Sequence, residues 1–411
     1  MIELYFPERR AIDADALVAR APDRSRASEP FAPEAVAFCD AASALFSRLP
    51  ASMGTAWPAA GFFFRRAAVE RMREEVTGAT PKGALRASRG LAFHVTPGNV
   101  DTQFVYSWLL SVLAGNANVV RVSSKLAPET LDVCAKLGDL AKERGLDGAR
   151  AASLVASWGH DKRVVDALSA RCDLRVLWGG DQAIAALRES PLRPDAREVA
   201  FPDRFSLAVL GARGVLAMND EERARRARDF AGDVWVFDQR ACSSPKAVVW
   251  VGAEDEARRA SEAFFADVER ALERGGVAVA LTTAIEKARF AFGALADGRA
   301  THVRRVSNEL CVVGADALDA LRDASWAGGL VVEVRAGAIA DVARVLRPSD
   351  QTLTHAGLAP PEVDALAAIA RGCGASRVVP VGRALAFSRV WDGMDLLHEM
   401  TRLVAVEGGT R

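Results

Sequence analysis

From about residue 90 the chain alternates short apolar runs with longer amphipathic stretches, and this alternation most narrows what it can fold into. Residues 91–95, 117–122, 153–157 and 174–178 read as strands. Residues 101–114, 128–144, 161–170 and 181–188 read as helices set between them. Strands joined through helices lie parallel, and the helices cover both faces of the sheet. A second series begins at Ser206–Leu210. It predicts helices over 219–231, 254–273, 284–296 and 336–346, and strands over 246–251, 276–281, 309–313, 329–334 and 377–380. Ahead of both series, 34–49 and 59–76 carry helical patterning. The predicted class is α/β, with two parallel-sheet domains. One spans residues 1–205 and the other 206–384, and a tail of 385–411 returns to the first domain or to a subunit interface.

A chain of 411 residues is long enough for two cores. Lys+Arg and Asp+Glu each number 53, so no basic excess points to nucleic acid. The beginning of the chain shows no apolar export segment. The longest apolar run, residues 104–114, is about half of what a membrane span requires, so no integral membrane segment is expected. The cysteines (39, 134, 172, 242, 311, 373) are scattered and form no dense framework, which fits a reduced, cytoplasmic setting. Without a His-Glu-x-x-His motif or a Cys/His cluster, no metal site is expected.

One of these cysteines has unusual company. The run Asp238, Gln239, Arg240, Ala241, Cys242, Ser243, Ser244, Pro245 joins an apolar stretch, 234–237, to the predicted strand from Lys246. Small neighbours leave room for a carbonyl. The nearby cations, Arg240 and Lys246, favour the thiolate, the nucleophilic form. Cys39, Cys134 and Cys311 lie in helical or strand patterns and read as core residues, and Cys172 has no small-residue loop around it. Cys373, between Gly372 and Gly374, is a rival by local sequence but lacks the helix-to-strand placement.

Three strand-to-helix turns could take a ligand. In the first, residues 94–101, Asn99 can either donate its amide to a developing oxyanion or simply cap the following helix. In the second, Arg121, Ser123, Ser124 and Lys125 gather cations and hydroxyls suited to a ribose and a phosphate, or they form an ordinary polar loop. In the third, Trp178, Gly179 and Gly180 lead into a helix whose N-terminus favours an anion, although no G-x-G-x-x-G is present. Residues 61–64 and the face from Phe104 to Trp108 could line an apolar tunnel, but core packing is the simpler reading. The stretch from Trp391 to His398 reads as a packing element or as a cover over a site.

In this order, these pieces resemble the aldehyde dehydrogenase superfamily and, within it, the LuxC-type acyl-CoA reductases, the fatty-acid reductase component of bacterial bioluminescence. The resemblance rests on Thr96–Val100, on Leu113–Asn116 running to Arg121–Ser124, and on Gln239–Pro245, and it covers roughly residues 85–405. It implies a modified Rossmann cofactor domain, a catalytic domain carrying the thiol, and a substrate tunnel that meets the nicotinamide. By position, it implies Cys242 as nucleophile and Asn99 as oxyanion donor. It also implies cofactor contacts from Thr96, Pro97, Arg121, Ser123, Ser124, Lys125, Trp178, Gly179 and Gly180. Ser124 stands where NAD-preferring relatives have a glutamate. With Lys125 adjacent, this implies NADPH, with NADH as the alternative.

The reaction implied is attack by Cys242 on an acyl-CoA, departure of CoA, and reduction of the enzyme-bound thioester to a fatty aldehyde. A carrier-protein thioester is an alternative donor, and a homo-oligomer or a complex with an acyl-transferring enzyme is an alternative setting. Hydrolytic relatives place a general-base glutamate just before the catalytic domain. Here direct alignment puts Ala200 at that place, and a two-residue slip puts Glu198 there. With Glu198 as base the product would be an acid. A non-catalytic acyl-binding subunit would keep the fold alone.

Overall fold

A computed structural model of the chain describes residues 2–159, 161–305, 307–322 and 326–407. These divide into two compact units. One runs to Asp203 and resumes at Phe387; the other is Arg204–Ala386.

The first unit contains β1 (Ile2–Phe6), β2 (Arg10–Ile12), β3 (Ala84–Ser88), β4 (Leu91–Val95), β5 (Ala117–Val122), β6 (Ser153–Ser157), β7 (Leu174–Trp178) and β8 (Arg197–Phe201). Seven of them form a sheet in the order β2-β1-β6-β5-β4-β7-β8. From β6 to β8 it is parallel. Its central strands are buried along their whole length, as strands covered on both faces must be. The N-terminal pair departs from the parallel expectation, because β1 lies antiparallel to both β2 and β6. Five residues with no helix before them give no βα rhythm to read. Helix Gln103–Leu113 is buried from Phe104 onward. Its Trp108 ring meets Phe6 and Phe38 edge-on at 4.8 and 5.6 Å between centroids. The tunnel reading of the Phe104–Trp108 face therefore gives way to core packing. Among the described residues, no helix is long and apolar enough to cross a membrane.

The C-terminal tail belongs to this unit. Thr401–Ala405 pairs antiparallel with β3, and Leu396, Leu397 and Met400 are buried in its core. The Asn116 amide donates to the Met400 carbonyl at 2.9 Å. The stretch 391–398 is thus a packing element.

The second unit contains β9 (Phe205–Gly211), β10 (Ala247–Val251), β11 (His302–Arg305), β12 (Cys311–Gly314), β13 (Leu330–Ala336), β14 (Asp350–Ala356) and β15 (Arg377–Pro380). Their order is β11-β12-β13-β10-β9-β14-β15, parallel apart from the β11/β12 pair. Two expectations are corrected here. Residues 276–281 form no strand: Gly276, in the left-handed region at φ 62°, ends helix Glu254–Gly275, and the next helix starts at Leu281. The helix expected over 336–346 shrinks to a 3₁₀ turn, Ile339–Arg344, because β13 runs on to Ala336. Strand β14 and helix Pro360–Cys373 were not anticipated. The charged helix Asp220–Trp235 opens with an Asn219/Glu222 capping box. It runs four residues past its predicted end, so the loop carrying Cys242 begins directly at its C-terminus.

Candidate active site

In the first unit, the predicted cofactor segments emerge from the carboxyl ends of three neighbouring parallel strands, β5, β4 and β7. Ligands bind at that edge of an α/β sheet. Two of the three turns interlock. The Thr96 backbone N–H and hydroxyl both donate to the Arg121 carbonyl at 3.0 Å. Gly98 lies so close to Ser123 that a Cβ there would stand 2.5 Å from its Oγ. Ser123 Oγ also accepts the Lys125 N–H at 3.2 Å. Ser124 and Lys125 are exposed at the end of β5, and Pro97 is half-buried. A hydroxyl and an ammonium on an open loop fit a ribose phosphate. The Arg121 guanidinium donates to the Trp158 and Gly159 carbonyls, so it braces the neighbouring β6 loop.

Asn99 is exposed in the loop between β4 and helix Gln103–Leu113. The cap of that helix is Thr102, so the capping role considered for Asn99 does not hold. Nearby, His94 is fully buried, and burial pushes its pKa down to about 4. The neutral ring fits one tautomer. Nε2–H donates to Asn118 Oδ1 at 3.2 Å, and Nδ1 accepts from Ser107 Oγ at 2.8 Å. Ser107 in turn accepts the Trp178 indole N–H at 3.0 Å. Trp178 also stacks on Phe201 at 3.6 Å. Its ring is core, and only its backbone can face a cofactor.

The third turn differs from expectation. At the N-terminus of helix Asp181–Arg188, the Asp203 carboxylate accepts the Asp181 N–H at 3.2 Å. A Cβ on Gly180 would meet the same carboxylate at 2.9 Å. The helix end expected to be open to an anion is thus shared with one already in place. A pyrophosphate near Gly179 and Gly180 would be repelled by it.

In the second unit, Cys242 lies in the loop between helix Asp220–Trp235 and β10, at the amino end of the parallel sheet. It is half-buried, whereas Ala241, Ser243, Ser244 and Pro245 are buried. The loop turns through Asp238 and Gln239, which both have positive φ, at 52° and 60°. Gln239 holds that turn from inside. Its side-chain N–H groups donate to the Pro245 and Leu330 carbonyls at 3.0 and 2.9 Å, and its Oε1 accepts the Gly329 N–H at 3.0 Å. Gly329 has φ 82°, and a Cβ there would lie 2.0 Å from the Glu309 carbonyl, so the approach requires glycine.

The two cations beside the cysteine in sequence have other partners. Arg240 pairs with Asp238 at 3.2 Å, and Lys246 Nζ donates to the Trp326 carbonyl at 2.7 Å. The sulfur itself receives a neutral donor, Gln351 Nε2, at 3.3 Å. Gln351 comes from β14, which the sequence reading lacked. Between Asp350 and Leu353 of β14, the register against β9 slips: Asp350 faces Phe205 and Leu353 faces Leu207. Two residues, Gln351 and Thr352, therefore oppose Ser206 alone. Ser206 Oγ accepts the Thr352 N–H at 3.2 Å and donates to the Cys242 carbonyl at 2.7 Å. One hydroxyl thus ties the bulge to the cysteine backbone.

The rival groups are otherwise engaged. Burial raises the thiol pKa of Cys39 and Cys134, and takes that of Cys172 up to about 12. Cys373 ends a helix and sits 4.0 Å from the Ala343 carbonyl. Glu198, on β8, bonds Arg175 at 2.5 Å and Arg188 at 2.7 Å. Burial alone would raise its pKa, but the hydrogen bonds from Arg188 and Arg175 prevail and hold it below the usual carboxylate range. Ala200, two residues on, offers no proton acceptor on its side chain.

The acyl-CoA reductase (LuxC) family model matches residues 82–403 of this chain. A long-chain acyl-protein thioester reductase of Aliivibrio fischeri is 28% identical over 169 residues, or 40% of this chain and 32% of that protein. The match thus spans about a third of that relative's length. The structure of an indole-3-acetaldehyde dehydrogenase in complex with NAD+ aligns with a TM-score of 0.67 at 15% identity, over 95% of this chain and 88% of that one. An oxidoreductase from Marinobacter aquaeolei aligns with a TM-score of 0.70 at 12% identity, over 98% and 94%. The fold is that of the aldehyde dehydrogenases.

Proposed function

This chain belongs to the acyl-CoA reductase (LuxC) family, and from that premise we propose that it reduces an acyl thioester to an aldehyde through an acyl group carried on Cys242. The observation that carries the reading is a half-buried thiol in a braced loop, with an amide N–H aimed at its sulfur. Cys242 Sγ attacks the thioester carbonyl and forms the new C–S bond, and the donor thiolate leaves. Asn99 serves as a side-chain donor to the tetrahedral oxyanion, a contribution of about 3 kcal/mol to the barrier. NADPH supplies a hydride when bound. Thr96, Pro97, Ser123, Ser124 and Lys125 would hold its ribose and phosphate groups, and the turn at Gly179 and Gly180, already shared with the Asp203 carboxylate, is left out of the phosphate contacts. After reduction, the carbonyl re-forms, the C–S bond breaks and the thiolate of Cys242 is regenerated.

The acyl donor is CoA by the family's description and a protein by that of the relatives, so a long-chain acyl group on either carrier is the proposed substrate class. The hydrolytic alternative, with Glu198 as base, is disfavoured because that carboxylate is tied to two arginines.

The test is intact-mass detection of an acyl adduct with wild type and Cys242→Ala, together with product analysis. The proposal expects an adduct at Cys242 and an aldehyde with NADPH, and neither in the variant. An acid product, or adduct formation that survives Cys242→Ala, removes it.

A further inference from the structure

We propose that the bulge in β14 presents Gln351 as the catalytic hydrogen-bond donor that holds Cys242 in its thiolate form and receives that thiolate again when the aldehyde leaves. The inference rests on the reading of Cys242 as the acyl-carrying thiol. A bulge re-aims a side chain by breaking the alternation of a strand. Here the extra residue falls at Gln351–Thr352, the one point of β14 opposite Ser206. The re-aimed amide reaches the sulfur at 3.3 Å, within hydrogen-bond range for a sulfur acceptor. Thr352 Oγ1 donates to Gln351 Oε1 at 3.4 Å, which keeps the oxygen turned away and the N–H groups toward Sγ.

The surroundings make this arrangement stiff. Asp350 is buried and paired with Arg322, and it also accepts the Arg347 N–H at 2.9 Å. The Gln351 carbonyl accepts from the N–H and Oγ of Ser376 at 3.0 and 3.2 Å. The Thr352 N–H, displaced from the ladder, is taken by Ser206, which also holds the Cys242 carbonyl. The backbones that carry donor and sulfur are thus tied to the same hydroxyl. A donor held in place before the reaction stabilises charge without reorganisation.

The sulfur carries negative charge twice in the proposed cycle. Before acylation, its electron pair forms the C–S bond as the donor thiolate departs. After reduction, the alkoxide pair forms the C=O bond while the C–S pair returns to Sγ. Between these points the sulfur is a neutral thioester atom that binds the donor weakly. A neutral amide donor therefore favours both anionic ends over the acyl-enzyme between them.

The experiment is the pH profile of iodoacetamide alkylation, mapped to Cys242 by peptide mass, in the full chain and in Gln351→Met and Gln351→Glu. The expected result is a midpoint raised by about one pH unit in Gln351→Met, equal to about tenfold slower alkylation below it, with the high-pH plateau retained. Gln351→Glu, which sets a second anion beside the sulfur, moves the midpoint further up. The glutamate variant keeps the shape of the side chain and carries the readout if the methionine variant does not fold. An unmoved midpoint in a folded variant overturns the proposal, including the case in which only the plateau falls. Alkylation needs no thioester. A moved midpoint without an acyl adduct from long-chain acyl-CoA or acyl-protein would sink the reductase reading and leave the hydrogen bond standing.

Discussion

Gln239 and Gln351 serve the same loop by opposite means. Gln239 is fully buried, uses both ends of its amide on backbone groups, and holds a turn with two positive-φ residues. Gln239→Leu would strand one N–H and two carbonyls. We expect a loss of roughly 2–4 kcal/mol in urea unfolding, together with loss of acylation even where the fold survives. Glu198 offers a cleaner separation. Glu198→Ala leaves the buried Arg175 guanidinium without its partner and should cost roughly 3 kcal/mol, while aldehyde formation per folded molecule stays within about twofold. A collapse of turnover without a loss of stability would restore it as a catalytic base. At the proposed nucleotide loop, Ser124→Glu places an anion just past the end of β5, where the chain is exposed. It should cut kcat/KM with NADPH by about tenfold or more relative to NADH. Equal loss with both cofactors would mean that this loop does not meet the ribose phosphate.

At the scale of elements, helix Asp220–Trp235 does more than deliver the cysteine loop. Its buried Asp233 carboxylate accepts the backbone N–H groups of Gly382 and Ala384 at 2.6 and 2.9 Å, pinning the segment after β15. Burial raises its pKa to about 7, against the pull of those two donors. The folded state therefore holds this proton more tightly than the unfolded chain does. The associated stability is fully present below about pH 4 and is lost as pH rises through 7. In parallel denaturation series, Asp233→Asn should flatten that fall, and identical slopes for the two proteins would refute it. The elements also show where sequence reading stops. Strands β4 to β7 are short, mostly apolar runs set between longer helical stretches, so their limits were visible. Strand β14, Asp350–Ala356, is polar at Asp350, Gln351, Thr352 and Thr354, all of them buried, and the first three are bonded in ways that no periodicity reveals. Leaving it out left out Gln351, whose amide touches the sulfur.

At the scale of the whole molecule, the alternation of strands and helices made the α/β class legible, and the small-residue loop singled out Cys242 as the candidate thiol. Partners across the sheet were not. Arg240 and Lys246 stand beside the cysteine in sequence, and their bonds to Asp238 and Trp326 depend on tertiary placement. Asp203 is separated from Gly180 by two elements, and no local motif connects them. A molecule whose expected base position holds either an alanine or an arginine-bound glutamate should protect its acyl-enzyme from water. Without reductant, the acyl-Cys242 mass should persist over many turnover times, and rapid return to the unmodified mass would contradict this. The slipped register in β14 also carries a warning for engineering. Stabilisation schemes that reward regular ladders would delete Gln351 or Thr352. The shortened strand would gain pairing, Ser206 would lose the Thr352 N–H that joins β14 to the cysteine loop, and the product would be a sturdier protein with a mute thiol.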